Sequence, residues 1–419
     1  MTVIALPGVV QRHEAAPVSA FSDRVVETAL GRIRVSIFRD IQLAENAWLK
    51  LQSITPGAPE QSYEWVKAWT RRAAKISGIE AAIVCGRTDT GEIQFIWPFE
   101  VVTRKGLRCL QWIGQSHTSH NIGLSTLKFS TEITTFDVKA LLCKAADIIG
   151  DVSAAHFINQ PHEWNGISNP LTQLTHRPSP NRGNMLLLDR DYGTLYRNRF
   201  SGKKRNMLAR EARKLEKLGL VEFGWARSDE ERCDLLNAFF KQTSCKLESN
   251  PLDDAEHGTF YHDMARSQCC GTNAALETAY LKIDSHPVAI SGGIFYADIF
   301  THLFTSIKDG TAREHLPRTL LLHYQIEEAC RRGLHFFNMG SGDAPYKDEW
   351  CDIDVPLFDS AIAFDERGYL VTLPFMAGAT FKRMIKKHPE AWVRAKAAGD
   401  RLMGRASQSC TSSKVSAQA

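Results

Sequence analysis

Two stretches of this 419-residue chain carry residue types spaced for chemistry. In the first, Gly340-Ser341-Gly342-Asp343 follows the apolar run His335–Met339 and leads into Tyr346 and Lys347. A glycine turn at the carboxyl end of a buried strand is where α/β folds hold ligands. Asp343 can take a proton from an incoming ammonium, directly or through water, or cap the turn through its own backbone, the plainer role. Tyr346 and Lys347 add a phenol and an ammonium, the phenol serving otherwise as an aromatic that pins the turn. The second stretch, Leu316-Pro317-Arg318-Thr319, opens a helix. Pro317 suits the first helical position, where a missing N–H has no consequence. A helix N-terminus offers free N–H donors and a positive dipole end to an anion, and Arg318 adds a guanidinium able to meet a phosphate. The structural alternative for Arg318 is an exposed residue at a helix start.

Other constellations carry less. His117 and His120 lie three apart beside Ser116, Thr118 and Ser119, without Asp, Glu or Cys nearby, which reads as a loop feature bordering a cleft and not as a metal site. No metal is expected. The ten cysteines are scattered with no C-x-x-C, so reduced thiols are expected, and Cys245, Cys330 and Cys351 have no sequence-level His partner for thiol catalysis. The run Arg197–Lys217 is strongly basic around a stripe of Leu208, Ala212, Leu215 and Leu218. A solvated structural face is the leading reading, and contact with an anionic substrate or nucleic acid the lesser one.

The elements that must position these groups fall into two similar series. A mobile leader is expected over residues 1–24 and a first unit over 25–180. That unit has helices at 45–51 and 62–69 (Ser62 as N-cap), strands at 81–86, 94–102 and 108–113, a helix at 138–149 and a strand at 154–159. Pro178, Pro180 and Gly183 mark a linker at 177–184. The second unit, 181–375, repeats the order: helices at 203–218, 229–241 and 260–266, strands at 278–282, 287–296 and 300–307, a helix at 317–331 and a strand at 335–339. A basic helical tail with a disordered end occupies 376–419. The net charge of +4 divides unevenly, because this tail carries nine Lys or Arg against Glu390 and Asp400. Its plainer reading is a terminal helix packed on the second unit; the other is peripheral contact with an anionic membrane. No run approaches a membrane span and no secretion signal is evident, so a cytoplasmic location is expected.

The segment Phe337-Asn338-Met339-Gly340-Ser341-Gly342-Asp343 with Tyr346, Lys347 and Trp350 resembles the signature of the CelD-like acyltransferases, a branch of the GNAT superfamily related to the FemAB proteins. Their strand reads like Phe-Asp-Phe-Gly-x-Gly-Asp-x-x-Tyr-Lys-x-x-Trp; Asn338 here replaces the acid and Met339 the second aromatic. The resemblance implies an α/β (α+β) fold of tandem GNAT-like units, each a mixed, mostly antiparallel sheet flanked by helices. It implies acetyl-CoA or another acyl-CoA as co-substrate, bound where the fourth and fifth strands splay and a helix N-terminus faces the pyrophosphate. Pro317, Arg318, Thr319, Gly340, Gly342 and Lys347 would hold it. Tyr346 would protonate the departing thiolate, with Asp343 as the other candidate catalytic group. The chain departs from the family in having Leu316-Pro317-Arg318 where Ser-Pro-Gly is usual, and in lacking the Q/R-x-x-G-x-G/A loop. The implied function is N-acyl transfer, acetyl in the first instance, to a small-molecule amine or amino sugar, with polysaccharide biosynthesis as the setting. Two alternatives remain: a FemAB-type aminoacyl transferase using charged tRNA, and a non-catalytic accessory protein of an exopolysaccharide machine. Nucleic acid other than tRNA is not expected as a partner.

Overall fold

The computed structural model describes residues 24–386 apart from 56, 74–77, 116, 245–254 and 270–272. The expected leader before residue 24, Cys245, Ser116 and the tail from residue 387 onward lie outside the described residues.

Two sheets organise the chain. The first runs, in spatial order, through Val25–Thr28, Gly31–Phe38, Ile79–Thr88, Ile93–Arg104, Leu107–Trp112, Val152–Pro161, Leu357–Ala363 and His176–Pro178. The second runs through Val221–Trp225, Glu277–Ile283, His286–Tyr296, Ile299–Ile307, Phe336–Ser341, Gly183–Leu187 and Ile353–Val355. Neighbours are antiparallel in both, with one parallel pair each: Leu107–Trp112 beside Val152–Pro161, and Ile299–Ile307 beside Phe336–Ser341. The parallel pairs are joined through helices, Leu127–Glu132 and Thr135–Ile149 in the first unit and Pro317–Arg331 in the second. This is the mixed α/β, tandem arrangement expected.

Local chemistry explains the elements. Ser201 accepts a hydrogen bond from the Lys204 N–H and so starts the helix Gly202–Glu216. Leu208 and Leu215 are buried along it, whereas Leu218, expected in the buried stripe, lies past the helix end and is exposed. Hairpin turns fall where short polar residues accept a left-handed backbone, as at Asp284 and Ser285.

The division expected at residue 181 is crossed twice. Strand Leu357–Ala363, from the C-terminal part of the chain, pairs with Val152–Pro161 in the first sheet. The two units also share one apolar core: Trp65 and Trp69, on helix Tyr63–Ala73, pack edge-on against Phe260 at 4.7 and 5.5 Å between ring centroids. The stretch expected as a linker at 177–184 contains the end of an edge strand of the first sheet and the start of an interior strand of the second. The final helix, Tyr369–Lys386, packs on the first sheet, to which Leu357–Ala363 belongs: Val371 joins Cys109 and Ala154, and Phe375 meets His156 at 5.2 Å. Among the described residues no helix is long and apolar enough to cross a membrane.

Candidate active site

Strands Ile299–Ile307 and Phe336–Ser341 keep parallel register only from Ile299↔Phe336 to Thr301↔Asn338, and then part. Past the parting point, Phe336–Ser341 continues into the glycine turn, which is fixed from several sides. Gly340 and Gly342 have φ of +73° and +93°, conformations that side chains strain to adopt. The Asn338 side chain accepts from the Gly340 N–H at 2.9 Å, and Asn184 donates to the carbonyls of Gly340 and Gly342 at 3.0 and 2.9 Å. Lys347 is buried and donates to the Ser341 carbonyl at 2.8 Å. Lys347 therefore anchors the end of the strand, and Asn338 does the work of a turn brace.

The first unit reaches into this turn. Ser119 Oγ accepts from the Ser341 N–H at 3.1 Å, and the Ser119 N–H donates to Glu60 Oε1 at 3.1 Å. A β-carbon on Gly340 would sit 2.8 Å from Ser119 Oγ, so this glycine meets a demand of space as well as of φ. His120 is fully buried, accepts at Nδ1 from Asn338 Nδ2 at 3.4 Å and packs on Trp164. Burial, then the nearby Lys347 charge, pulls its pKa down to about 3, which keeps it neutral. The loop carrying His117 and His120 thus braces the second unit's turn. Burial raises Glu60 to about 7, and its Oε2 has no partner.

Beside the parting strands lies a cleft of about 330 Å³. Its walls are the start of helix Pro317–Arg331 (Arg318, Thr319, Leu322, Gln325), Tyr346 and Glu349 of the short helix Pro345–Trp350, Lys204 and Leu208 of helix Gly202–Glu216, and His302 and Thr305 of the fourth strand. Pro317 sits at the first helical position; Leu316 before it makes no side-chain cap, and the first turn holds no acid. The amide groups of Arg318 and Thr319 therefore open a helix whose positive end no side chain neutralises. Burial raises the pKa of the Tyr346 phenol, an effect the Arg318 charge only partly opposes, so the phenol holds its proton at neutral pH. His302 is pulled down to about 4 by burial and by the Lys347 and Arg318 charges, and is neutral in the cleft.

The corresponding position in the first unit is closed. Helix Thr135–Ile149 begins with a capping box in which the Thr134 side chain accepts from Asp137 N–H and Asp137 answers the Thr134 N–H. Asp137 Oδ2 also takes the Ala29 N–H at 3.3 Å. A carboxylate of the chain itself occupies the dipole's positive end, where the second unit has none.

Of the sequence-derived candidates, Arg318, Thr319 and Tyr346 meet in the cleft. Pro317 starts the helix, while Gly340, Gly342 and Lys347 shape the turn behind it. Asp343 is exposed and pairs with Arg182 at 3.7 Å, outside the cleft wall. Burial pushes the Cys330 and Cys351 thiols up to about 11 and 12, which leaves them unreactive. Lys204 belongs to the basic run Arg197–Lys217, whereas His302 and Gln325 have no counterpart among the sequence-derived candidates. The signal for His302 is its place one residue past the last parallel pair, which needs the topology; that for Gln325 is its spacing of seven from Arg318 along one helix face.

Residues 202–348 match the family model described as the acetyltransferase (GNAT) domain. The match lies within the second unit and covers about a third of the chain. Among solved structures the chain is similar in fold to FemX, with 12% identity, 78% of this chain and 97% of that one covered, and a TM-score of 0.54. It is likewise similar to a conserved protein of unknown function from Bacteroides thetaiotaomicron, with 10% identity, 79% and 100% coverage and a TM-score of 0.50. At such identities the likeness is one of fold. No curated protein matches the sequence.

Proposed function

We propose that the protein is a cytoplasmic N-acyltransferase that moves an acyl group, acetyl in the first instance, from an acyl-CoA to the amine of a small molecule or amino sugar. The observation that carries this reading is the uncapped N-terminus of helix Pro317–Arg331 opening, with Arg318, on the same cleft as the protonated Tyr346. The donor set fits a nucleotide-linked thioester. The Arg318 and Thr319 amides and the Arg318 guanidinium would take the phosphates, beside a Lys204 ammonium that Glu349 holds at 3.0 Å.

The thioester would lie along the parted fourth strand, with its carbonyl toward free backbone N–H groups. The amine nitrogen forms a bond to the carbonyl carbon, the carbon–sulfur bond breaks, and the thiolate takes the Tyr346 proton. Asp343 is held by Arg182 at the surface. Glu349 of the cleft wall is paired with Lys204 at 3.0 Å, so the group we assign to receive the acceptor's proton is neutral His302. The CelD-like specificity and the polysaccharide setting rest on the motif alone.

A second reading, aminoacyl transfer from charged tRNA, is favoured by one feature. Helix Gly202–Glu216 contributes Lys204 and Leu208 to the cleft wall while Lys203, Arg210 and Arg213 stand exposed on it. A thermal-shift screen of acetyl-CoA, longer acyl-CoAs and charged tRNA separates the two. A ligand at 100 times its Kd stabilises by about 2.7 kcal/mol. Stabilisation by tRNA with none by any acyl-CoA would replace the first reading by the second.

A further inference from the structure

Helix Tyr369–Lys386 turns an apolar face to solvent. Val371 and Thr372 are buried against the first sheet, and Phe375 follows them inward to His156. On the opposite side stand Leu370, Leu373, Pro374, Ala377, Phe381 and Met384, at the spacing of one helical stripe, and all six are exposed. Leu370, Leu373, Phe381 and Met384 leave between 59% and 65% of their surface in water. Single apolar residues on a surface are ordinary, whereas a continuous stripe of them marks a contact. A helix that only packs on a sheet shows charge outward, yet this one stays apolar outward to its last turn.

The charges around the stripe are of one sign. The helix contains no Asp or Glu, and its cations Lys382, Arg383 and Lys386 fall in the last two turns. Helical spacing sets exposed Lys382 and Arg383 on either flank of Phe381 and Met384. Exposed Lys139 walls a groove of about 410 Å³ together with Tyr369 and Leu373. Exposed Arg177 lies on the edge strand His176–Pro178, which adjoins the helix. The acids nearby do not offset these cations. Asp359 is buried, Asp365 pairs with Arg367 at 2.9 Å, and Glu366 precedes the first turn. Past the helix the sequence adds six more Lys or Arg against Glu390 and Asp400.

We propose that this face binds an anionic phospholipid surface, with the helix lying in the plane of the headgroups. Leu370, Leu373, Phe381 and Met384 would dip below the headgroups while Lys382 and Arg383 reach sideways to them. Size favours lipid over a folded partner. A helix of 18 residues is about 27 Å long and presents a face of roughly a few hundred Å², short of the about 800 Å² per partner of a stable protein interface. Charge selects an anionic leaflet over a neutral one. The inference is independent of the reading of the cleft.

The test is flotation of the full chain with vesicles of phosphatidylcholine alone and of equimolar phosphatidylcholine and phosphatidylglycerol. Binding is expected to the anionic vesicles and not to the neutral ones, and it should weaken as added salt shortens the Debye length. Lys382→Glu with Arg383→Glu should weaken partition roughly 25-fold or more, since each cation near an anionic leaflet contributes about fivefold. Leu373→Ser with Phe381→Ser should weaken it by at least roughly tenfold. The melting temperature of the lipid-free serine variant should stay level, because both side chains are exposed. No binding to the anionic vesicles at low salt would overturn the proposal, and so would binding that either double variant leaves unchanged. A wild-type chain that ignores vesicles but forms dimers that the serine variant does not form would give the face to a second copy. One that ignores vesicles, stays monomeric and melts lower as the serine variant would give it to the chain's own C-terminal segment. Either result overturns the proposal. Should the serine variant fail to fold, the charge variant and the salt titration still decide.

Discussion

Reversing the charge at Arg318 is the most direct probe of the donor site. Arg318→Glu removes a charge-assisted hydrogen bond to phosphate, a contribution of about 1.5–3 kcal/mol, and adds repulsion between a carboxylate and the anion. One effect opposes it: Arg318 is exposed, so solvent screens its charge. One adds to it, because an acid in the first helical turn takes up the dipole's positive end by about 0.3–1 kcal/mol, in competition with the phosphate. The net expectation is about 2 kcal/mol, or roughly 30-fold in Kd for CoA at moderate salt. Isothermal titration should also give one site per chain, because Asp137 fills the matching helix end of the first unit. The paired control is Asp137→Ala, which removes the capping box: stability should fall by about 1 kcal/mol while CoA affinity is untouched. Unchanged affinity in Arg318→Glu, or two equivalent CoA sites, would refute the reasoning.

The remaining expectations concern proton transfer, pH and the turn. Tyr346→Phe keeps the ring and loses the proton, so kcat should drop by about 10²–10⁴-fold with KM little changed; a rise in KM alone would return Tyr346 to a structural role. Glu60, raised from 4.5 to about 7 in the folded chain, holds a proton that the unfolded chain has lost. Its stabilising effect is therefore full below pH 4.5 and disappears as pH rises through 7. Denaturant melts of Glu60→Gln should gain on the wild type by on the order of 3 kcal/mol between pH 4.5 and 8, and parallel pH profiles would contradict the assignment. Gly340→Ala should destabilise more than Gly342→Ala, which carries only the left-handed backbone cost of about 1–2 kcal/mol, because only the first meets Ser119; equal losses would remove the steric argument.

Much of the fold is written in local signals. Helix Pro317–Arg331 is readable to the residue, because Pro317 starts it and Gly333, at φ +72°, ends it. Strands with apolar runs and turn residues at their ends lie within a few residues of where the pattern puts them. Strand Leu357–Ala363 was not legible: it buries Asp359 and Ser360, which breaks the apolar pattern, and its partner lies some 200 positions earlier in the chain. Helix Pro345–Trp350 is too short to show a period, and Gly183–Leu187 depends for its existence on the strands it joins. In the site, Arg318 and Tyr346 announce themselves by type and place. His302 and Gln325 become visible only once the point where two strands part is known.

The two units differ at equivalent places. In the first, Asp137 satisfies the helix start that the second leaves open. What the first unit offers instead is its loop: Ser119 holds the Ser341 N–H, His120 meets Asn338, and Glu60 holds Ser119. The turn that follows the second unit's fifth strand is thereby set by residues some 220 positions earlier in the chain. A cut at residue 181 would uncover Phe260 from Trp65 and Trp69, and would leave Leu357–Ala363 without its neighbours in the first sheet. The second unit cannot then be treated as a domain to which the first is merely attached. Loop residues 117–123 belong to the architecture of the cleft as much as Tyr346 does, and substitutions at Ser119 should be read in ligand affinity as well as in stability.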